Sequence, residues 1–247
     1  MREVNTSPSG LTPEPYHLQK AIVLQTGTMQ IGQAYGNGVN RMPWMDKGEG
    51  YFSKVSTGTQ NFDITGITNV EPSGPQPTIK YTVVGPDAKT HKVNVNVFNG
   101  AARNINNITF GEADFARATN SLLFTDITSQ GKVTLQLVPQ EINGSVGTAG
   151  LAYAQVVYPQ KGVFSGKSMF LFTDSLRSTS PYFEFSNAPE SVVAYNVTNQ
   201  QDVYRISGNS NGVKRGFVVN AGEKQQKVLL ARTDQALVPV GKPDKIT

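Results

Sequence analysis

The chain has 247 residues, of which 38% are hydrophobic and 16% are charged, with a net charge of +4 and no cysteine. This size and hydrophobic content exclude a disordered chain and suffice for one large β domain or two smaller ones. The lack of cysteine excludes disulfides, thiolate metal sites and a cysteine nucleophile, and so mild a charge gives no reason to expect nucleic-acid binding.

The first 17 residues are predicted to form an extended, strand-poor arm, because Pro8, Pro13 and Pro15 disfavour regular structure there. These prolines and Tyr16 are candidate contacts with neighbouring copies of the chain. Residues 1–5 lack the apolar segment of a secretory signal, and no apolar run reaches the length of a membrane span. We therefore expect a protein that is made in a cytoplasm and does not span a membrane.

A first core strand is predicted at residues 20–26, and the passage 27–50 that follows is rich in glycine and has no regular period. Long loops of this kind often carry function. The single tryptophan, Trp44, lies here and could join Tyr35 and Tyr51 in a platform on which sugar rings stack. Alternatively, Trp44 anchors the loop to the core of its own chain or to a neighbouring copy, and the sequence leaves these interpretations open.

The clearest pattern in the chain covers residues 78–98, where apolar and polar residues alternate on both sides of Gly85-Pro86-Asp87. Ile79, Tyr81 and Val83 share one side of the first segment, and a run of alternate valines shares one side of the second. A period of two with β-branched residues indicates strands with one buried face. The proline-containing turn between them predicts a β-hairpin.

One short helix is predicted at about residues 111–123. Thr109 and Glu112 have the spacing of a capping box, in which both side chains bind backbone N–H groups at a helix start. Phe115, Ala118 and Leu122 then recur at helical spacing.

The remaining strands recur about every ten residues between glycine- and proline-rich turns, which favours an antiparallel β-sandwich or jelly-roll-like fold. The predicted organisation is an arm at 1–17, a β half at 18–138, a linker-like segment at 139–150, a second β half at 151–236 and a tail at 237–247. The two halves could share one core. Pro239 and Pro243 of the tail are further candidate contacts between copies.

Catalytic chemistry has few candidates in this sequence. The two histidines, His17 and His91, have no flanking pattern typical of a triad or a metal site. Glu184 lies between aromatic residues, a setting that could raise the pKa of a glycosidase acid. However, side chains of a strand alternate between its two faces, which favours a Glu184 side chain that points to water while Phe183 and Phe185 point inward. We therefore expect no catalytic residue, no cofactor and no metal.

In overall style the chain resembles structural proteins of viral and phage particles, because it is cysteine-free, β-rich and rich in amide and hydroxyl side chains, with proline-stiffened ends. The leading hypothesis is a non-enzymatic assembly subunit of a virion, as a capsid, decoration or tail component. It would contact copies of itself and other particle proteins, since few charges need to be desolvated at such contacts. The alternative is a glycan-binding adhesin or receptor-binding β-sandwich module.

Overall fold

The computed structural model describes residues 2–25, 51–112, 114–174, 179–222 and 224–235. Over these residues the chain is almost entirely β-strand, and its single helical element is a 3₁₀ turn at Phe124–Asp126. In this part of the chain no helix has both the length and the apolar character that a membrane crossing requires.

The strands are β1 (Arg2–Val4), β2 (His17–Leu24), β3 (Gln60–Ile64), β4 (Thr78–Gly85), β5 (His91–Asn99), β6 (Ala101–Phe110), β7 (Asp114–Ser121), β8 (Val133–Ile142), β9 (Ser145–Val146), β10 (Gly150–Gln160), β11 (Ser168–Phe172), β12 (Tyr182–Phe185), β13 (Val192–Asn196), β14 (Tyr204–Ile206), β15 (Asn209–Asn211), β16 (Lys214–Val218) and β17 (Lys227–Arg232).

The chain divides into two compact units. Unit 1 combines Met1–Gln19 with Pro159–Thr247, and unit 2 is Lys20–Tyr158, so the divisions fall within β2 and β10. The segment 139–150, predicted to be linker-like, contains the end of β8, strand β9 and the first residue of β10. Asn143 and Gly144 form the β8–β9 turn with positive φ angles of 52° and 75°.

Unit 2 is a β-sandwich, which confirms the predicted fold class. One sheet has the order β2-β10-β4-β7, and the other has the order β3-β8-β5-β6 with β9 paired to β8. Alternate side chains of both sheets fill one core, because a strand presents every second residue to the same face. Its fully buried members include Ile79, Tyr81, Val95, Leu135 and Leu137.

The predicted hairpin of residues 78–98 is wrong in its pairing, although both strands are present. β4 pairs with β10 and β7, whereas β5 pairs with β6 and β8 in the other sheet. The connection between β4 and β5 therefore crosses from one sheet to the other. The valines of β5 face Ile79, Tyr81 and Val83 across the core, so the alternating pattern reports two facing inner surfaces and not two neighbouring strands.

The predicted helix at 111–123 is also wrong, because its central residues form β7. This strand pairs with β4 along its whole length, from Asp114 opposite Gly85 to Ser121 opposite Thr78. Ala116 and Ala118 pack against the core, while Arg117 and Thr119 are exposed. The eight-residue pairing with β4 prevails over a weak helical pattern, since helix propensity yields readily to tertiary context.

Unit 1 contains two sheets that enclose a second core. One sheet has the order β1-β14-β13-β17-β11, and the other consists of β12, β16 and β15. All of these pairs are antiparallel except β1 with β14, which is parallel. Phe183, Phe185 and Phe217 are among the largest side chains of this core.

The N-terminal arm, predicted to be extended and strand-poor, contains the three-residue strand β1 and binds its own chain, while its predicted contacts with neighbouring copies stay a prediction. Its residues 2–4 form β1, where the Arg2 guanidinium lies 3.2 Å from the Asp202 carboxylate and 4.7 Å from the centre of the Tyr204 ring. Farther along, the backbone N–H of Glu14 donates to the carbonyl of Tyr182 at 2.7 Å. The arm is thus fixed at both ends within unit 1.

Candidate functional site

Unit 1 contains a pocket of about 300 Å³ between the arm and the sheet β12-β16-β15, which we call the Glu184 pocket. Its lining residues are Pro8, Leu11, Pro13, Tyr182, Glu184, Asn209, Ser210 and Asn211. The arm side is apolar, and the sheet side carries the carboxylate of Glu184, the phenol of Tyr182 and the amides of Asn209 and Asn211. The pocket is therefore amphipathic, with its two kinds of surface on separate segments of the chain.

A turn in the arm places the apolar wall. The N–H of Leu11 donates to the carbonyl of Pro8 at 2.9 Å, and Gly10 has a φ of 78° at the third position of this turn. Glycine suits that position because it adopts positive φ without steric cost. Leu11 remains 39% exposed, so its side chain is accessible at the pocket.

The polar wall depends on strand alternation in β12. Phe183 and Phe185 point into the core, so Tyr182 and Glu184 share the opposite face. Gly216 lies opposite Glu184 in the pairing of β12 with β16. A Cβ at Gly216 would lie 2.3 Å from the Tyr182 hydroxyl, so only glycine lets the Tyr182 ring lie across this position.

Three donors surround the Glu184 carboxylate. Oε1 accepts hydrogen bonds from Asn211 Nδ2 at 2.6 Å and from the Tyr182 hydroxyl at 3.0 Å, and Oε2 accepts one from Lys214 Nζ at 3.2 Å. The Asn211 amide, together with Lys214 and Tyr182, lowers the pKa of Glu184, since each bond stabilises the charged form. Burial, together with this bond to Glu184, raises the pKa of Tyr182 to about 12. Near neutral pH the pocket therefore holds an ionised carboxylate beside a neutral phenol.

The prediction for Glu184 is right about strand alternation and wrong about exposure. Its side chain is only 8% exposed and lies in contact with Lys214, Asn211 and Tyr182. The Lys214 ammonium compensates its charge, so this part of the pocket is close to neutral. A second feature is the amide nitrogen of Asn209, which is buried and has no hydrogen-bond partner among the described residues.

A second polar feature lies on the outer face of unit 2, and we call it the amide row. It consists of Asn61, Gln136, Asn96 and Asn104, which lie directly opposite one another on β3, β8, β5 and β6. Asn104 Nδ2 donates to Asn96 Oδ1 at 3.0 Å, Asn96 Nδ2 to Gln136 Oε1 at 3.0 Å, and Gln136 Nε2 to Asn61 Oδ1 at 3.1 Å. These side chains thus form a hydrogen-bonded chain across the sheet.

Both histidines are buried, which fits their lack of a catalytic pattern. His17 packs against Phe183 and Phe185, and burial lowers its pKa to about 4. His91 stacks on Phe110, and its Nε2 lies 3.4 Å from an Asp87 carboxylate oxygen. Burial lowers the pKa of His91, and the opposing effect of Asp87 does not compensate for it.

The Asp87 carboxylate is held by Thr148, whose backbone N–H and hydroxyl both donate to Oδ2 at 2.8 Å. We expect Thr148→Val to lower the free energy of unfolding by about 2 kcal/mol, because a buried carboxylate loses one donor without a change in shape. Urea unfolding measures this loss. Thr109→Val, at an exposed strand position, is the control and is expected to change stability by less than about 0.5 kcal/mol. Equal effects of the two substitutions would contradict a structural role for the hydroxyl.

The structure brings together only some of the predicted site residues. Pro8 and Pro13 lie in the Glu184 pocket. Pro15 is exposed, and the Tyr16 hydroxyl donates to the Asp174 carboxylate at 2.9 Å. Tyr51 is 39% exposed. The other predicted contact and platform residues lie outside the described residues, and these are Tyr35, Trp44, Pro239 and Pro243.

Sequence reasoning missed Leu11, Asn209 and Asn211 as members of the pocket, and it missed Lys214 as the cation beside Glu184. Asn209 and Asn211 belong to β15, and Gly212 occupies the turn that follows this strand. Their alternation on either side of Ser210 is the one signal that could have placed both on one face.

Within the described residues, no group of three or more side chains of the metal-binding types lies close enough to hold an ion.

No family model and no curated protein matches the chain. Among solved structures, it is similar to dimeric latent PorU from Porphyromonas gingivalis, with a TM-score of 0.64 and 13% identity over 93% of this chain and 21% of that one. The chain thus spans about a fifth of the PorU chain, and at this identity the likeness shows a shared fold alone.

A second similarity is to the CBM36-1 domain of a multidomain xylanase from the hindgut metagenome of Trinervitermes trinervoides. Its TM-score is 0.30, with 11% identity over 56% of this chain and 95% of that one. This TM-score is too low to indicate a shared fold.

Proposed function

We propose that this chain is a non-catalytic module that binds a neutral glycan in the Glu184 pocket. The observation that carries the proposal is the pairing of an ionised, charge-compensated carboxylate and amides on one wall with Pro8, Leu11 and Pro13 on the other. A sugar ring has the same two kinds of surface, namely hydroxyls at its edge and C–H groups on its faces. The pocket, of about 300 Å³, lies at the small end of the range for ligand sites.

The hydrogen-bonding capacity of the polar wall supports a polyhydroxylated ligand. An ionised carboxylate accepts about four hydrogen bonds, and the donors on Glu184 provide three of them. One lone pair of the carboxylate is therefore left for a ligand hydroxyl. The partnerless amide nitrogen of Asn209 supplies a donor at the same wall.

Charge compensation favours a neutral ligand over a cation. The Lys214 ammonium lies 3.2 Å from the Glu184 carboxylate, so a cationic ligand would meet a positive charge beside the negative one. A neutral hydroxyl can accept from Asn209 or donate to Glu184 without displacing Lys214.

The geometry supports binding more than hydrolysis. Glycoside hydrolysis generally requires two carboxyl groups, one of them protonated, and Glu184 is the only carboxylate among the described residues that line the pocket. Its pKa is lowered, whereas a general acid needs a raised pKa. Glu184 thus suits the role of a hydrogen-bond acceptor.

We expect Glu184→Gln to weaken binding of a neutral oligosaccharide at least tenfold, because a hydrogen bond to a charged group contributes roughly 1.5–3 kcal/mol. A printed array of neutral oligosaccharides would identify the probe, and calorimetric titration of the best binder would measure the effect. Glu190→Gln is the matched control, since Glu190 is an exposed carboxylate of the same unit outside the pocket. Thermal unfolding checks that both variants are folded.

Two outcomes would contradict this proposal. One is an array on which the wild-type protein binds nothing, and the other is unchanged affinity in Glu184→Gln. Release of reducing sugar from the bound oligosaccharide would contradict its non-catalytic part.

Contact between copies, the core of the assembly hypothesis, is a second proposal. It is supported by the low charge of the chain and by the amide row on the outer face of unit 2. This second proposal is limited to contact between copies, because no observation in the structure bears on a virion.

A further inference from the structure

The sheet β12-β16-β15 places a hydrogen-bond acceptor and a donor of the Glu184 pocket in one rank of residues. Glu184 and Asn209 both lie directly opposite Gly216, one on either side of it. Residues that lie opposite one another on neighbouring strands point to the same face of a sheet. The Tyr182 ring lies over Gly216, where a Cβ would come within 2.3 Å of the Tyr182 hydroxyl. The rank thus has a carboxylate at one end, an amide at the other and a phenol ring between them.

We propose that the Glu184 pocket binds glycans that contain N-acetylated sugars, and that it holds an acetamido group of such a sugar. The N–H of this group donates to Glu184, its carbonyl oxygen accepts from Asn209, and its methyl group contacts Leu11. This inference rests on the proposed function, because it names the class of glycan that the same pocket takes.

The polar wall has one unused acceptor position and one unused donor. Oε1 of Glu184 accepts hydrogen bonds from Asn211 and Tyr182, and Oε2 accepts one from Lys214. Each carboxylate oxygen accepts about two, so the unused position is on Oε2. The donor is the buried amide nitrogen of Asn209, which has no partner among the described residues. A buried polar group without a partner costs free energy. A secondary amide satisfies both positions, since it has one N–H and one carbonyl oxygen.

The distance between the two positions suits an amide better than a single hydroxyl. Neighbouring strands lie about 4.8 Å apart, so the Cα atoms of Glu184 and Asn209 are separated by roughly 10 Å. The N–H and C=O of a trans amide point in opposite directions, so their two partners lie roughly 8 Å apart. A single hydroxyl joins partners that are at most about 6 Å apart. Side chains that begin two strands apart are therefore matched more closely by an amide.

The apolar wall of the pocket accounts for the methyl group. Leu11 is 39% exposed, and Pro8 and Pro13 line the same wall. These side chains have no polar atom, so a sugar hydroxyl placed against them would lose its hydrogen bonds to water. A methyl group in the same place buries apolar surface, which is favourable. The wall therefore favours an acetamido substituent over a hydroxyl.

The charge of the pocket favours the acetylated nitrogen over a free amine. The Lys214 ammonium lies 3.2 Å from the Glu184 carboxylate and compensates its charge. An acetamido nitrogen is neutral and can donate to Glu184 beside this ammonium. A protonated amino sugar would bring a second positive charge close to Lys214, and like charges at short range repel.

Three trisaccharides with one common backbone test the proposal, because they differ only in one substituent of each ring. Triacetylchitotriose carries acetamido groups, cellotriose carries hydroxyls, and chitotriose carries free amines. Calorimetric titration of the full chain with each of them measures the three dissociation constants. We expect triacetylchitotriose to bind at least tenfold more tightly than the other two, because it adds a hydrogen bond to a charged group and buries a methyl group.

Two substitutions test the assigned contacts through the ratio of the dissociation constants for cellotriose and triacetylchitotriose. Asn209→Asp replaces the donor with an acceptor of the same shape and should lower this ratio at least fivefold. Leu11→Ser removes the apolar contact and should lower it at least threefold. Asn199→Asp, at an exposed position of unit 1 outside the pocket, and Leu123→Ser, at an exposed position of unit 2, are the matched controls and should leave the ratio unchanged.

A ratio of affinities separates a lost contact from general damage, which weakens both ligands alike. Circular dichroism checks that each variant retains its β structure, and Leu11→Ser decides the matter if Asn209→Asp does not fold. Triacetylchitotriose that binds no more tightly than cellotriose would overturn this inference and leave the proposed function in place. So would a preference that persists in Leu11→Ser and in a folded Asn209→Asp. Failure of the wild-type protein to bind any neutral oligosaccharide would overturn the proposed function and this inference with it.

Discussion

Replacement of Gly131 by alanine is expected to lower the free energy of unfolding by about 3 kcal/mol or more. Gly131 has a φ of 69°, a conformation that costs other residues roughly 1–2 kcal/mol. A Cβ at this position would also lie 2.0 Å from the carbonyl oxygen of Ile67, which is backbone and cannot rotate away. The Ile67 N–H donates to the Gly131 carbonyl at 3.0 Å, so the two segments cannot separate without losing this bond.

Gly144→Ala provides the matched control for this prediction. Gly144 has a similar φ of 75°, but a Cβ there would have no other atom within 4 Å. Its substitution should therefore cost only the backbone strain, roughly 1–2 kcal/mol. Urea unfolding of both variants measures the difference. Equal losses in the two variants would show that contact with Ile67 contributes nothing.

The second large effect is a loss of stability in mild acid that arises from His17. Burial lowers the pKa of His17 to about 4, whereas the pKa of an exposed histidine in the unfolded chain is about 6.5. Between pH 4 and pH 6.5, the His17 side chain is therefore protonated in the unfolded state but not in the folded state. Stability from this group is fully present above pH 6.5 and is lost as the pH falls toward 4. The expected loss is about 3 kcal/mol, since one pKa unit corresponds to about 1.4 kcal/mol.

His17→Leu tests this assignment, because leucine does not titrate and suits a site against Phe183 and Phe185. We expect the variant to show a shallower decline in unfolding free energy between pH 6.5 and pH 4. Some decline should persist, since burial also lowers the pKa of His91. Urea unfolding at a series of pH values measures both curves. Parallel curves for the variant and the wild type would contradict the assignment.

The sequence is informative about strands and uninformative about their partners. Alternation in residues 78–98 predicts β4 and β5 correctly, because burial of one face leaves a period of two in either case. The same period arises whether two strands pair side by side or face each other across a core. A turn containing Gly85-Pro86 does not distinguish these arrangements, so the hairpin prediction failed where only the three-dimensional packing decides.

The Glu184 pocket could be predicted only in part. Alternation of Phe183, Glu184 and Phe185 places the carboxylate away from the core, as observed. The donors that cover it come from β15 and β16, and the apolar wall comes from an arm more than 150 positions earlier in the chain. Such convergence depends on sheet order, which local patterns do not encode. For the same reason, the register that places the four amides of the amide row opposite one another could not be predicted from the sequence.

The crossing of the chain from β4 to β5 has a consequence for how unit 2 reaches its folded state. Ile79 pairs with Asn120 on one side and with Val156 on the other, so the neighbours of β4 are distant in sequence. Domains dominated by such non-local pairings fold slowly, because closing long loops costs conformational entropy before the stabilising contacts form. Until β10 has been synthesised, β4 has an open edge, and nascent chains of this protein should depend on protection from aggregation during that interval.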